Sequence, residues 1–257
     1  MNKKKIILII TISIIIIIFI ILGIIYKDQK VAILGYHSFI KEEDRIKQNV
    51  TDNMVLNLET FEKQLKFLKI NNYKTLTLEE FYCFHQGTCK IPRKSVLITM
   101  DDGYQSNYDL AFSLLEKYDM HAVVFYLGIN ETGENKTFMD IDTINKIYKK
   151  YPNIEIASHS YNLHEKGAIN QEKKLLEKDI KKMKKIVNSK YYAYPFGEYN
   201  DDMLEALKEN DYKMAFTFGP GKEHRKATKK DDKYLIPRLN ISNDMPLWKF
   251  ILRILLP

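Results

Sequence analysis

The sequence has few of the features that mark nucleic-acid-binding, disulfide-rich or multidomain proteins. Its 257 residues include only two cysteines and one tryptophan. It has no arginine-rich arm and no basic stripe interleaved with aromatic residues, so we expect no nucleic-acid partner. No internal repeat, low-complexity linker or second domain is evident. About 230 residues remain behind the N-terminal segment, enough for one sizeable domain.

Charge is absent from one long stretch near the N-terminus. Residues 6–25 are apolar or uncharged and follow three consecutive lysines. About 20 such residues span the hydrocarbon core of a bilayer as a helix. The stretch is longer than the core of a signal peptide, and neither a small-residue cleavage site nor a lipid-carrying cysteine follows it. We therefore expect residues 1–28 to be a single-pass transmembrane anchor that leaves residues 29–257 outside the cell.

The chain carries a mild excess of positive charge. The formal net charge is +7, and the three N-terminal lysines account for three of these charges. The remaining +4 favours contact with anionic wall polymers or lipid headgroups, although lysines scattered over helix faces are usually just solvated.

The two cysteines, Cys83 and Cys89, lie close together in "FYCFHQGTCKIP". Outside the cytoplasm they can form a disulfide, and the intervening Gly87 allows the loop to turn back. The alternative is a metal site that includes His85. Zinc sites usually need two such pairs, or one pair and distant ligands.

From residue 31 onward, short β-type runs alternate with segments of helical periodicity, and this order predicts an α/β fold with a parallel sheet. Seven such strands suggest a closed or nearly closed barrel, with an open doubly wound sheet as the alternative. Segment 37–58 reads as a long loop over the barrel mouth, and the tail 245–257 as a final packed helix or a helix on the membrane surface. The runs are 31–36, 95–100, 121–128, 154–158, 191–194, 213–218 and 234–241.

Polar side chains follow several of these strands directly. His37 follows the first, Asp101 and Asp102 the second, and His159 and His164 the fourth. In a parallel barrel all these positions lie on one rim, where the strands end. The rim explains why two neighbouring carboxylates follow a buried strand, since one of them can bind a cation that removes their repulsion.

Two histidines and one carboxylate form a plausible ligand set for a single divalent metal ion with an open position for water or substrate. Zinc suits this set best, and iron, cobalt or nickel would also fit. The second carboxylate could then act as a base and His37 as the complementary acid.

Four motifs together resemble a known family. "TMDDGY", "SHSYNLH" and "YPFGEYN" resemble the first three motifs of the polysaccharide deacetylases of carbohydrate esterase family 4, which contain the NodB-homology domain. The leading "VAILGYHSF" is similar to the circularly permuted branch that deacetylates poly-β-1,6-N-acetylglucosamine. The resemblance implies a distorted, seven-stranded (β/α) barrel over residues 29–257.

The resemblance also implies a role for each matching residue. Asp102, His159 and His164 match the metal ligands, Asp101 the general base and His37 the general acid. The residues that match the substrate-binding wall, together with one further candidate, are Tyr194, Pro195, Phe196, Gly197 and Arg238.

The sequence departs from the family pattern at one position. Ala193 stands where many members have the arginine that orients the catalytic base. Arg238, at another strand end, could substitute for it, although a packing role is the alternative.

The resemblance implies a monomeric, metal-dependent hydrolase that removes N-acetyl groups from an extracellular amino-sugar polymer, either poly-N-acetylglucosamine or a peptidoglycan-like glycan, in biofilm or cell wall. An alternative is an inactive, membrane-anchored carbohydrate-binding protein on the same fold. A phosphoesterase ranks last, because two-metal sites need more ligands than this rim offers.

Overall fold

All seven predicted apolar runs form strands of one parallel sheet. The computed structural model describes residues 3–25, 29–218 and 225–256. Numbered along the chain, the strands are β1 (Ala32–Tyr36), β2 (Ser38–Ile40), β3 (Val55–Asn57), β4 (Lys74–Thr75), β5 (Ser95–Asp102), β6 (Ala122–Tyr126), β7 (Ile154–Ser158), β8 (Tyr191–Ala193), β9 (Met214–Thr217), β10 (Ile236–Pro237) and β11 (Leu239–Asn240).

The main sheet begins and ends on the same short segment of chain. Its order is β10-β9-β8-β7-β6-β5-β1-β11, with β4 also paired to β5, and every pairing is parallel. Only Arg238 separates β10 from β11, so the sheet returns on itself there. When β10 and β11 are taken as one interrupted strand, seven strands surround the axis, which fits the predicted (β/α) barrel.

Alternation along the strands separates the barrel interior from the layer between sheet and helices. In β5, Val96, Ile98 and Met100 belong to a large apolar cluster shared with the surrounding helices, whereas Leu97 belongs to a second cluster with Phe125 and other residues of neighbouring strands. Successive strand residues point to opposite faces. Asp101 therefore continues the series of Leu97 and lies at the upper end of the barrel interior.

The helices follow the predicted stripes closely. The segments of helical periodicity between the predicted strands include 60–70, 140–150 and 201–209, which coincide with observed helices to within two residues, and 107–118, whose first five residues form a π-helical turn. The helices are α1 (Lys3–Ile25), α2 (Glu42–Gln48), α3 (Leu58–Ile70), α4 (Leu78–His85), α5 (Phe112–Lys117), α6 (Ile141–Lys150), α7 (Lys173–Ile186), α8 (Asp201–Glu209) and α9 (Leu247–Leu255).

Segment 37–58 is not the structureless loop that its polar sequence suggested. It contains β2, α2 and β3, and the two strands form a small parallel sheet. Phe39 and Leu56 are buried in this sheet, and Phe39 packs its ring against Phe61 at 4.7 Å between centroids. β2 and β3 have three residues each, too few to show the alternation of apolar and polar residues that identifies a strand. The sequence pattern therefore did not predict them.

Cys83 and Cys89 form a disulfide across the turn that ends α4. His85 is not part of a metal site with them: its Nε2 contacts the Asp231 carbonyl at 2.9 Å. The disulfide interpretation is therefore the one that the structure supports.

The N-terminal segment includes helix α1, which is 23 residues long. Within the described residues, none of the helices is both long and apolar enough to cross a membrane, so the predicted transmembrane helix is not confirmed. Residues 1, 2 and 26–28 of the predicted anchor lie outside the described residues. The division into an anchor at 1–28 and a catalytic domain at 29–257 remains a prediction.

Candidate active site

The polar residues predicted to share a rim do so because their strands run parallel and in register. Tyr36 of β1 pairs with Met100 of β5, and Asp102 of β5 pairs with Tyr126 of β6, which in turn pairs with Ser158 of β7. His37, Asp102 and His159 therefore leave the sheet at the same level. This level is the carboxyl end of the strands, where barrel enzymes carry their sites.

Asp102, His159 and His164 form the predicted ligand cluster. One ligand atom from each residue lies within 4.8 Å of the others. The Asp102 Oδ1 atom is 3.3 Å from His159 Nε2 and 2.8 Å from His164 Nε2. Asp102 and His159 are buried, whereas His164 is half-exposed on the outer side. The cluster is thus closed towards the protein and open towards solvent.

The hydrogen bonding of this cluster fits a bound cation. The Nδ1 atom of His159 lies 2.8 Å from the Ala193 carbonyl oxygen, which can only accept, so Nδ1 is the protonated nitrogen. The lone pair on Nε2 then faces the Asp102 carboxylate. Although both imidazoles approach it, the buried Asp102 Oδ1 has no partner of hydrogen-bond geometry among the described residues. Electron pairs that converge in this way suit a divalent metal with one carboxylate and two imidazole ligands.

The backbone at Asp102 departs from the extended conformation to aim its carboxylate. Its φ is 69°, in the left-handed region that non-glycine residues rarely adopt, and Gly103 follows with φ 76°. Such a conformation costs about 1–3 kcal/mol and is found where a site requires it. The turn separates two adjacent carboxylates into different environments: Asp102 faces the histidines and Asp101 faces the barrel interior.

Asp101 forms a buried two-point ion pair with Arg238. The two Nη atoms donate to Oδ1 and Oδ2 at 2.7 and 2.8 Å. Arg238 has no exposed surface and Asp101 almost none. Burial alone would raise the pKa of Asp101, but the Arg238 guanidinium more than offsets this, so its pKa lies below the usual range. The carboxylate is therefore held ionised and in one orientation.

This pair gives Asp101 a guanidinium partner that Ala193 cannot supply. Ala193 contributes only its carbonyl, which accepts from His159. The hypothesis of an inactive binding protein depended on the missing arginine, and Arg238 removes that argument. Arg238 itself was predicted as a substrate-binding residue, and this was wrong: a side chain with no exposed surface cannot contact a polymer.

His37 lies between β1 and β2 and is half-buried. Burial lowers its pKa, while the nearby carboxylates of Asp101 and Asp102 oppose this shift. Its buried Nδ1 atom has no hydrogen-bond partner within the described part of the chain. His37 therefore lies within electrostatic reach of both carboxylates.

The turn Pro195–Gly197 forms one wall of the rim. Phe196 has a left-handed backbone with φ 57°, and its ring is 43% exposed and lies 4.8 Å from the His164 ring. Gly197, with φ 71°, approaches Phe218 so closely that a Cβ on Gly197 would lie 2.7 Å from the backbone nitrogen of Phe218. Pro195 and Gly197 are buried and shape this turn, and Phe196 is the member that presents a surface.

Tyr194 does not belong to this wall, contrary to the prediction. Its ring is fully buried and packs against Tyr192 and Tyr199, at 5.4 and 5.6 Å between centroids. A side chain at this position therefore supports the wall from within the core and does not contact substrate.

Sequence inspection missed Phe218, which connects two site residues. Its ring lies 3.8 Å from the Arg238 guanidinium carbon and stacks on the His37 ring at 6.0 Å between centroids. Gly35 leaves space for it, because a Cβ there would lie 2.1 Å from Phe218 Cζ. Its place in the sequence could have indicated this role. Phe218 is the last residue of the predicted strand 213–218, and His37 and Asp102 likewise lie just after the ends of predicted strands.

The barrel and its rim define the class of this protein as a (β/α) barrel with a candidate metal site at the carboxyl ends of its strands. The polysaccharide deacetylase family matches residues 89–215. The poly-β-1,6-N-acetyl-D-glucosamine N-deacetylase of Staphylococcus epidermidis is 30% identical over 241 residues, covering 85% of this chain and 81% of that protein. The chain belongs to the polysaccharide deacetylase family, which confirms the resemblance seen in its motifs.

Two solved structures of low identity share the fold. The deacetylase PplD of Streptococcus pyogenes, in complex with acetate, superposes with a TM-score of 0.77 at 21% identity and covers 88% of this chain and 99% of that chain. IcaB from Ammonifex degensii gives a TM-score of 0.69 at 21% identity, covering 84% and 93%. These likenesses establish the barrel independently of the motifs.

Proposed function

We propose that this protein hydrolyses N-acetyl groups of an extracellular β-1,6-linked N-acetylglucosamine polymer and releases acetate. The observation that carries the proposal is the pairing of an oriented, ionised Asp101 with the adjacent Asp102–His159–His164 cluster at one open rim. The 30% identity to a deacetylase with this named substrate supports the choice of polymer.

Asp102, His159 and His164 would hold one divalent cation. Such a cation supplies Lewis-acid polarisation of the amide carbonyl and acidifies water. Zinc fits a set of two imidazoles and one carboxylate, and iron, cobalt or nickel fits it as well.

The protein's own residues divide the proton transfers between them. Asp101 takes a proton from water while the water oxygen forms a bond to the acetyl carbon. The backbone N–H of Phe196 would donate to the oxygen that becomes negative, since Pro195 has no N–H and the Gly197 N–H donates to the Tyr194 carbonyl. His37 in its protonated form gives a proton to the nitrogen as the C–N bond breaks. The products are acetate and a free amine.

The aromatic wall would position the sugar. Phe196 offers an exposed ring beside His164, and a pyranose ring can pack its apolar face on such a surface. Rigid placement of the amide over Asp101 contributes to the rate because it removes the entropy of alignment from the barrier.

Acetate release is the direct test of this function. The full chain should release acetate from a β-1,6-linked N-acetylglucosamine oligomer faster than from a β-1,4-linked one. Both oligomers present the same amide and differ only in linkage, so the comparison isolates the preference for linkage. Pre-treatment with a chelator should abolish release, and added zinc should restore it. Oligomer binding without acetate would support the carbohydrate-binding alternative, and release that is insensitive to chelation would exclude the assigned metal cluster.

The proposed location is outside the cell. The disulfide between Cys83 and Cys89 supports it, because such bonds persist in oxidising compartments. The uncharged residues 6–25 behind three lysines support attachment to the membrane in this orientation. Protease added to intact cells should degrade the domain while a cytoplasmic marker stays whole. Protection of the domain until the cells are lysed would contradict this location.

A further inference from the structure

Two adjacent basic cavities flank the point where the chain enters the barrel domain. The first, of about 340 Å³, lies beside Lys30, and the second, of about 460 Å³, beside Gln29. The two share Thr228, and backbone hydrogen bonds between Val31 and Ala227 at 2.8 and 2.9 Å fix the entering strand to this segment. The cations around the first cavity are Lys30, Arg225, Lys226, Lys249 and Arg253. Those around the second are Lys90, Arg93, Lys229 and Lys230.

This surface, called here the basic face, has no acidic residue among the described residues that line its two cavities. Asp231 lies beside it and pairs with Arg225. Burial, and to a smaller extent the positive charge of nearby Lys30, lowers the pKa of Lys226 to about 8. Cations gathered in this way repel each other and would gain free energy from an anionic partner.

Helix α9 borders the basic face and carries apolar side chains on both sides. Phe250 and Ile254 are buried against the domain. On the opposite side Trp248 is 63% exposed, and Leu252 and Leu255 are also exposed. A helix that presents exposed apolar side chains beside basic ones is typical of the boundary between lipid headgroups and acyl chains.

The basic face lies at the opposite end of the barrel from the candidate active site. Lys30 precedes β1 and Arg93 precedes β5, whereas His37 and Asp102 lie at the other ends of these strands. A bilayer bound at the basic face would therefore leave the rim directed away from it, towards a polymer outside.

We propose that the basic face binds the anionic headgroups of a lipid bilayer, with the exposed side chains of α9 entering the headgroup region. Lipid is favoured over an anionic wall polymer because the exposed leucines and tryptophan need an apolar phase, which a polyanion does not provide. The inference goes beyond deacetylation and holds whether or not the chain is active.

Trp248 provides a direct probe, because it is the only tryptophan of the chain. The full chain is reconstituted into vesicles of phosphatidylcholine, with or without phosphatidylglycerol. Any attachment through residues 6–25 is present in both vesicle types and contributes no tryptophan signal. We expect Trp248 emission to shift to shorter wavelength and to be quenched by brominated lipid in the anionic vesicles only, with loss of both effects at high salt.

A matched pair of triple variants tests the role of charge. Lys30→Gln, Lys90→Gln and Lys249→Gln together remove three cations from the basic face. Lys174→Gln, Lys178→Gln and Lys185→Gln remove the same charge from the exposed side of α7. Each cation near an anionic surface contributes about fivefold to binding, so the first variant should lower the ratio of bound to unbound domains roughly a hundredfold. The second should retain the Trp248 signal.

Three outcomes would overturn the proposal. An equal signal in neutral and anionic vesicles would mean that apolar contact, or coverage of α9 by the chain's own N-terminal helix, protects Trp248. An equal loss of the Trp248 signal in both triple variants would mean that the total charge of the domain, and not a defined surface, governs binding to the vesicles. A response to a soluble polyphosphate chain and none to vesicles would identify a polymer, and not a bilayer, as the partner.

Discussion

Asp101→Asn should lower the rate of acetate release by about 10²–10⁴ while the protein still binds one metal ion, whereas His159→Ala should lose both activity and metal. The asparagine side chain keeps the shape of the aspartate and can still accept from Arg238, but it cannot take a proton from water. His159 is different because its Nε2 faces the carboxylate of Asp102 at 3.3 Å and belongs to the ligand cluster. The measurements are initial rates and metal content after dialysis against zinc.

Two controls make this comparison decisive. His85→Ala removes a histidine whose Nε2 contacts a backbone carbonyl far from the rim, so it should retain metal. Thermal unfolding of each variant shows whether the chain is folded at the assay temperature, which matters because Asp101→Asn leaves the buried Arg238 without its counter-charge. Metal loss of equal extent in the Asp101 and His159 variants would show that the roles of the two aspartates are misassigned.

The strands and the rim could be predicted from the sequence. The strands depend on local runs of apolar residues, and the rim follows from the parallel arrangement of those strands. An apolar run such as 95–100 forms a strand almost wherever it occurs in an α/β chain, and parallel strands bring their ends together without further information. The sequence alone is therefore enough to group His37, Asp102 and His159. Their mutual approach follows from the topology and not from any local contact.

The features that sequence could not supply depend on packing between distant segments. Closure of the sheet on both sides of Arg238 requires the single predicted run 234–241 to pair with two different strands, β9 and β1, and nothing within the run specifies this. Tyr194 and Phe196 lie two residues apart in one motif, yet the first is buried and the second exposed, because the left-handed turn at Phe196 reverses the local direction. Phe218 became a site residue only when Arg238 and His37 were placed on either side of it.

Arg238→Met should destabilise the fold by about 3–5 kcal/mol and nearly abolish turnover. Removing one partner of a buried ion pair leaves the other charge without compensation, and Asp101 has almost no access to water. The loss should appear in kcat more than in KM, because Arg238 has no exposed surface with which to bind substrate. Chemical unfolding curves and steady-state kinetics measure the two effects separately.

A double variant distinguishes a positioning role for Arg238 from a merely structural one. Asp101→Asn combined with Arg238→Met removes both charges, so much of the lost stability should return, as replacement of whole buried ion pairs is often neutral. Activity should stay at the level of Asp101→Asn, because the base is gone. Arg238→Lys restores the charge but offers a single ammonium in place of two parallel donors, so it should recover stability more fully than kcat. If Arg238→Met kept wild-type kcat in the folded fraction, then the orientation of Asp101 would not depend on the guanidinium, and the arginine missing at position 193 would have no functional replacement.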